Sequence, residues 1–104
     1  MKKTVFIDHR AQRELASFTR QIQLKFQAFF EILEKDGKLE DPFGKKLSGK
    51  EHLFEVRVKH QGQWRAIYAY KSEKMIIVLS AFVKKTQKTP TKELEKARKR
   101  LLDY

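Results

Sequence analysis

The sequence predicts an α+β fold: an N-terminal strand and one or two helices packed on an antiparallel β-sheet meander, closed by a C-terminal helix. Three observations predict it. Arg10 to Lys35 holds no glycine or proline and carries apolar residues at helical spacing, residues 53 to 82 hold three β-rich segments separated by turn residues, and an amphipathic stretch follows Pro90. With 104 residues, the chain is a single domain (residues 1–104) with one core.

Each element follows in order. Thr4 to Asp8 (TVFID) is β-branched or aromatic and reads as a first strand. Ala11, Leu15, Phe18, Ile22, Phe26, Phe29 and Leu33 then recur every three or four residues, which is helical periodicity. Either one long helix results, or two, with Thr19 capping the second. The aromatic stripe Phe18, Phe26, Phe29 and Phe30 belongs to a core. Gly37 ends the helical stretch, and residues 37–50 (GKLEDPFGKKLSGK) read as a loop. Leu53 to Lys59 alternates strictly, Phe54, Val56 and Val58 against Glu55, Arg57 and Lys59, so one face is core and the other wet. Residues 60–63 (HQGQ) form a hairpin connection, Trp64 to Tyr70 the return strand, and Ser72-Glu73 a second tight turn. Lys74 to Phe82 is apolar almost throughout, as expected of a strand lying centrally. Thr89 before Pro90 fits a helix N-cap, with Leu94, Ala97 and Leu101 as the apolar stripe. This sandwich leaves the opposite face of the sheet for function.

The charge is uneven. The net charge is +11, and residues 1–44 contribute +1 of it against +10 from residues 45–104. Such a field draws polyanions, nucleic acid first. The chain has no cysteine, which excludes disulfides, thiolate nucleophiles and cysteine zinc sites. His9, His52 and His60 show no metal-ligand spacing with carboxylates, so neither a metal nor another cofactor is expected. The apolar run near the N-terminus is broken by Asp8 and Arg10, too short for a signal peptide or a membrane span, and a soluble cytoplasmic protein is expected.

The chemistry that remains is cationic. Arg57 lies on the wet face, Arg65 on the next strand, and Lys84, Lys85 and Lys88 follow the last strand. A two-residue loop at Gln61-Gly62 would put the arginines on opposite faces; a loop one residue longer, or a bulge at Gly62, would bring them together, and convergence is the expectation. Two arginines and a lysine pair around one phosphate suit RNA strand scission, because guanidinium groups match the charge that gathers on the non-bridging oxygens. A lysine crowded by cations loses its proton more readily and is a candidate acid or base. Lys45, Lys46, Lys59 and Lys88 would extend the RNA-binding surface, and Tyr68 would stack a base beside Trp64 and Tyr70. The structural alternatives are that Arg65 pairs only with Glu55 or Glu73, that Glu55 is merely the ion-pair partner of Arg57, and that the aromatics are core.

The segments HLFEVRVK, QGQWRAIYAY, MIIVLSAFVKKTQKTP and ELEKARKRLLDY resemble the RelE/ParE superfamily of bacterial toxin–antitoxin toxins, most closely its HigB-like, phage-associated branch. The resemblance runs from Leu47 to Tyr104, and residues 1–46 agree in pattern only. It implies N-terminal helices on an antiparallel sheet, two rather than one. It also implies metal-free mRNA cleavage in the ribosomal A site by in-line attack of the 2′-hydroxyl, with Arg57, Arg65 and Lys84 or Lys85 at the family's basic positions. The catalytic tyrosine or histidine that some relatives carry on the last helix is missing from residues 91–99, which leaves Tyr104, Lys88 or Lys84 for proton transfer. A cognate helix-turn-helix antitoxin is the implied partner, beside ribosome and mRNA. Two other readings compete: a non-catalytic ParE-type toxin acting on DNA gyrase, and an inactive RNA-binding remnant.

Overall fold

Asp8 decides where the first strand stops. Its carboxylate accepts from the N–H groups of Arg10 and Ala11 and so caps helix α1 (His9–Ala16) directly after strand β1 (Thr4–Ile7). In the computed structural model, which describes residues 2–47 and 52–104, the periodic stretch is two helices. Ser17 ends α1, the Thr19 hydroxyl accepts from the Ile22 N–H to cap α2 (Arg20–Asp36), and Gly37, at φ 79°, closes α2 with a left-handed turn.

Strands β2 (Gly44–Lys46), β3 (Leu53–Lys59), β4 (Gln63–Tyr70) and β5 (Met75–Val83) follow, then helix α3 (Thr91–Leu101). The sheet order is β1-β5-β4-β3-β2. The β3–β4–β5 meander is antiparallel as expected, but β1 runs parallel to β5, so the sheet is mixed. The helices between them supply the crossover that a parallel pair needs. Strand β5 is interior, between β1 and β4, while β4 takes the middle place.

The expected loop at residues 37–50 needs a correction, since it contains β2, paired antiparallel with β3. Pairing, not propensity, makes this strand. Gly44 opens it because a Cβ there would fall 2.6 Å from the Cβ of Leu39. The end of that segment, residues 48–50, lies outside the described residues.

Period-two alternation sorts the sheet into two faces. Helices α1 and α2 cover one, where Ala11, Leu15, Ile22, Phe26 and Leu33 meet Val56, Val58, Ala66 and Val78. The other face is not left open along its length as expected. Leu53, Ile67, Ile77 and Leu79 make half of it apolar, and α3 covers that half through Leu94, Ala97 and Leu101. Strand β4 is apolar on both faces over Ala66–Ala69, which requires cover on both sides. The uncovered half carries Arg57, Lys59, Gln63 and Arg65.

Candidate functional site

The β3–β4 loop sets the geometry. It comprises His60, Gln61 and Gly62, with φ of 49° at Gln61 and 133° at Gly62. Side chains other than glycine rarely adopt the latter value. Lys59 therefore pairs with Gln63, and Arg57 falls directly opposite Arg65 on one face. The expected convergence of the arginines is what the strands produce.

Glu55, two residues before Arg57 and on the same face, is fully buried beneath them. Its Oε1 accepts from Arg57 Nε at 3.0 Å and lies 3.6 Å from Arg65 Nε, and its Oε2 accepts from the Thr89 hydroxyl at 2.9 Å. Arg65 also donates through Nη2 to Gln63 Oε1 and through Nη1 to the Trp64 carbonyl at 3.1 Å. A buried carboxylate and its guanidinium partners hold one another, since removing either leaves an uncompensated charge. Arg65 is only 5% exposed, whereas the Arg57 side chain is 27% exposed and forms the open part of the pair. The expected helix cap at Thr89 is corrected by the same contact: α3 begins at Thr91 with Pro90 in the cap position and no side-chain cap bond. The Thr89 hydroxyl serves the carboxylate instead.

Lys84 joins from the end of β5, its backbone N–H donating to the Gln63 carbonyl at 2.7 Å. Partial burial pulls its ammonium pKa below the ordinary lysine value; Arg65, Arg57 and Lys45 push the same way, and Glu55 opposes them. Burial likewise lowers the pKa of Arg65, with Glu55 opposing and Arg57 adding to the shift.

Three clefts meet at Arg57. One of about 600 Å³ is lined by Arg57, Gln63, Arg65, Lys84 and Lys85. A second, of about 500 Å³, is lined by Lys45, Lys46, Glu55, Arg57, Lys84 and Lys88. The third, of about 600 Å³, includes Lys25, Phe29, Phe43, Arg57 and Lys59. Arg57, Arg65, Lys84, Lys85, Lys88, Lys45, Lys46 and Lys59 are thus all brought to one basic surface.

Two of the expected site residues are not there. Tyr68 is 1% exposed on the helix-covered face, its ring 5.5 Å from that of Phe54, and burial pushes its hydroxyl pKa far above the ordinary value. Trp64, edge-on to Phe18 at 4.8 Å, and Tyr70, donating to the Gly37 carbonyl at 2.8 Å, share that face, so the three rings are core and do not stack bases on the arginine face. Tyr104 donates to Asp8 Oδ2 at 2.6 Å and packs against Phe6 on β1, at the opposite edge of the sheet from β2 and β3. Burial and the Asp8 hydrogen bond raise its pKa to about 12, which does not suit a proton carrier near neutrality. Sequence reasoning missed Gln63 and Thr89, and Glu55 appeared there only as an ion-pair partner. The period-two spacing of Glu55, Arg57 and Lys59 was the signal for its place.

Among the described residues, no three His, Asp or Glu side chains cluster to hold a metal ion, and no helix is long and apolar enough to cross a membrane.

The fold is that of RelE-type proteins. It is similar to a mutant of the E. coli toxin RelE in the free state, with a TM-score of 0.75 and 17% identity over 97% of this chain and 99% of that one. The intact E. coli RelBE toxin–antitoxin complex matches with a TM-score of 0.66 and 17% identity, over 83% of this chain and 100% of that one. The archaeal RelE–RelB complex from Pyrococcus horikoshii matches with a TM-score of 0.61 and 27% identity, over 80% and 96%. Residues 13–102 match the family described as phage derived protein Gp49-like (DUF891), and the chain belongs to that family. Family and fold together bear out the resemblance to the phage-associated branch of the RelE superfamily. No curated protein sequence matches the chain.

Proposed function

We propose that this protein is the toxin of a type II toxin–antitoxin pair and that it cleaves mRNA on the ribosome, in the cytoplasm, without a metal ion. Family and fold support the first part, because toxins of this fold are solved both free and in complex with RelB antitoxins. The observation that carries the second part is the Arg57–Arg65 pair, fixed over buried Glu55 and opening with Lys84 onto one cleft.

The chemistry follows from that arrangement. The ribose 2′-oxygen loses its proton and bonds to phosphorus; the bond from phosphorus to the 5′-oxygen breaks, and that oxygen takes up a proton. A 2′,3′-cyclic phosphate and a 5′-hydroxyl result. Negative charge gathers on the non-bridging oxygens in between, where preorganised guanidinium donors lower the barrier most. Glu55, Gln63 and Thr89 hold those donors in place before substrate arrives. Lys84, with its lowered pKa, takes the proton from the 2′-hydroxyl, and Lys85 or Lys88 donates to the leaving oxygen. The surrounding lysines supply affinity for ribosomal RNA and offer a helix-turn-helix antitoxin a basic face to mask.

The test is inducible expression of the wild-type chain and Arg65→Ala in a bacterial host, with growth followed and mRNA 5′ ends mapped. New ends in register with codons, lost in a variant that circular dichroism shows to be folded, support the assignment. Full growth arrest by Arg65→Ala overturns it. A second reading, ParE-type inhibition of DNA gyrase by binding alone, is favoured by the exposed apolar residues Leu24 (52%) and Ile32 (39%) on α2. Its signature is a DNA-damage response without new RNA ends.

A further inference from the structure

Phe43 is an aromatic ring, 51% exposed, that shares a cleft with Lys25, Arg57 and Lys59. The turn that carries it is fixed, because the N–H groups of Phe43 and Gly44 both donate to the Glu40 carbonyl at 3.0 Å and Gly44 leaves no space for a Cβ beside Leu39. The Phe43 carbonyl accepts from the Arg57 N–H at 2.8 Å, and the pairing of β2 with β3 ends there. Beyond that point, among the described residues, the β3 edge has no strand beside it. A cleft of about 600 Å³ opens in the gap, within the ~300–1,000 Å³ of small-ligand sites. The Phe29 ring stands 5.3 Å from that of Phe43 at an angle of 31°, and Lys25 lies one helical turn before Phe29. Arg57, Gln63 and Arg65 line this cleft and the neighbouring one with Lys84 as well, so the two adjoin across these side chains.

We propose that this cleft is a nucleobase pocket, receiving one nucleoside next to the phosphate held by Arg57 and Arg65; the proposal rests on the RNA-cleaving reading above. A ligand occupying both clefts at once must offer a flat, weakly polar group to Phe29 and Phe43 and an anion to the arginines, one repeat apart. A nucleotide does both. An apolar peptide would cover Lys25, Lys59 and Arg57 with nothing to meet their charges. Stacking on phenylalanine rings is tolerant of base identity, so the pocket adds affinity and orientation more than sequence choice.

The experiment is an NMR titration of the full chain, with arginine side chains and phenylalanine rings labelled, using inorganic phosphate and then 3′-AMP. Phosphate is expected to shift the Arg57 and Arg65 signals alone. The nucleotide is expected to shift these and move the Phe29 and Phe43 ring signals upfield, binding roughly fivefold or more tighter than phosphate. Phe43→Ser, at an exposed position that leaves folding intact, is expected to erase that gain. Silent rings with no gain in affinity, or a gain that survives Phe43→Ser, would overturn the pocket and leave the arginine site standing. Rings that respond to an apolar dye but not to 3′-AMP would make the surface a protein-docking face and overturn the pocket too. Failure of phosphate to shift either arginine overturns the RNA-cleaving reading itself, and the pocket with it.

Discussion

Asp8 and Glu55 are both buried carboxylates held by arginine, and only the arginines on Glu55 line the basic clefts. Asp8 accepts the Arg10 guanidinium at 3.0 and 2.8 Å and the Tyr104 hydroxyl at 2.6 Å, and the Arg10 guanidinium reaches on to Asp103 at 2.8 Å. That cluster spends two carboxylates on one guanidinium. Glu55 has the reverse balance, one carboxylate under two guanidiniums with Lys84 alongside. The first cluster repels an anion and ties the C-terminal turn to β1 and α1. The second is left positive, and its guanidiniums line open clefts. Burial and ion pairing are common to both, so what separates them is local charge balance and access, the two properties on which the proposed phosphate site rests.

The largest effect that would test this contrast is expected from Glu55→Ala. Removing one member of a buried ion pair costs about 3–5 kcal/mol, and Arg65, now without its carboxylate, would keep only its bonds to Gln63 and the Trp64 carbonyl. Chemical denaturation should show the loss, and RNA cleavage measured on the folded fraction should fall with it. Unchanged cleavage would mean that Glu55 only supports the fold, which erases the contrast with Asp8.

Arg57→Ala and Arg65→Ala come next. Loss of one preorganised donor typically lowers the rate by about 10²–10³-fold. Arg100→Ala is the matching control, because Arg100 donates to Glu14 at 2.8 and 3.0 Å and to the Leu79 carbonyl at 2.8 Å, in a network away from the clefts where Lys96 also bridges Glu14 and Glu93, two cations on two carboxylates. It should cost about 1.5–3 kcal/mol of stability and leave cleavage per folded molecule as it was. Lys84→Arg sharpens the point further, since it keeps the charge but cannot release the proton. The wild-type rate should rise with pH and level off below the ordinary lysine value of about 10.4. The variant should be slower by roughly 100-fold with a flat profile.

How much of this was legible in the sequence differs from residue to residue. Gly62 and the alternation on either side of it made the Arg57–Arg65 pairing readable, and Thr19 and Gly37 marked the helix ends. The same reasoning places Tyr68 on the core face: once Arg65 faces outward, residues 64, 66, 68 and 70 face inward, so that error came from not following the parity through. Strand β2 was hidden because its residues are poor strand formers and only the partner strand β3 makes them pair. The Tyr104–Asp8 bond spans almost the whole chain, and nothing local to either residue announces it.

That bond gives the smallest expected effect. Tyr104→Phe removes one donor from Asp8, a loss of about 1 kcal/mol, and should leave RNA cleavage unchanged. The pH dependence carries the sign. The Arg10 guanidinium holds the Asp8 carboxyl well below the usual carboxylate range against the opposing effect of burial, with Tyr104 assisting. Stability from that shift is therefore fully present above the unfolded value near about 3.9 and is lost as the pH falls through the lower folded value. The difference between variant and wild type should hold above about pH 4 and shrink below it, as followed by circular dichroism across an acid titration. A variant that kept its stability and lost cleavage would place Tyr104 in the reaction, and the Asp8 cluster would then belong to the site it is contrasted with.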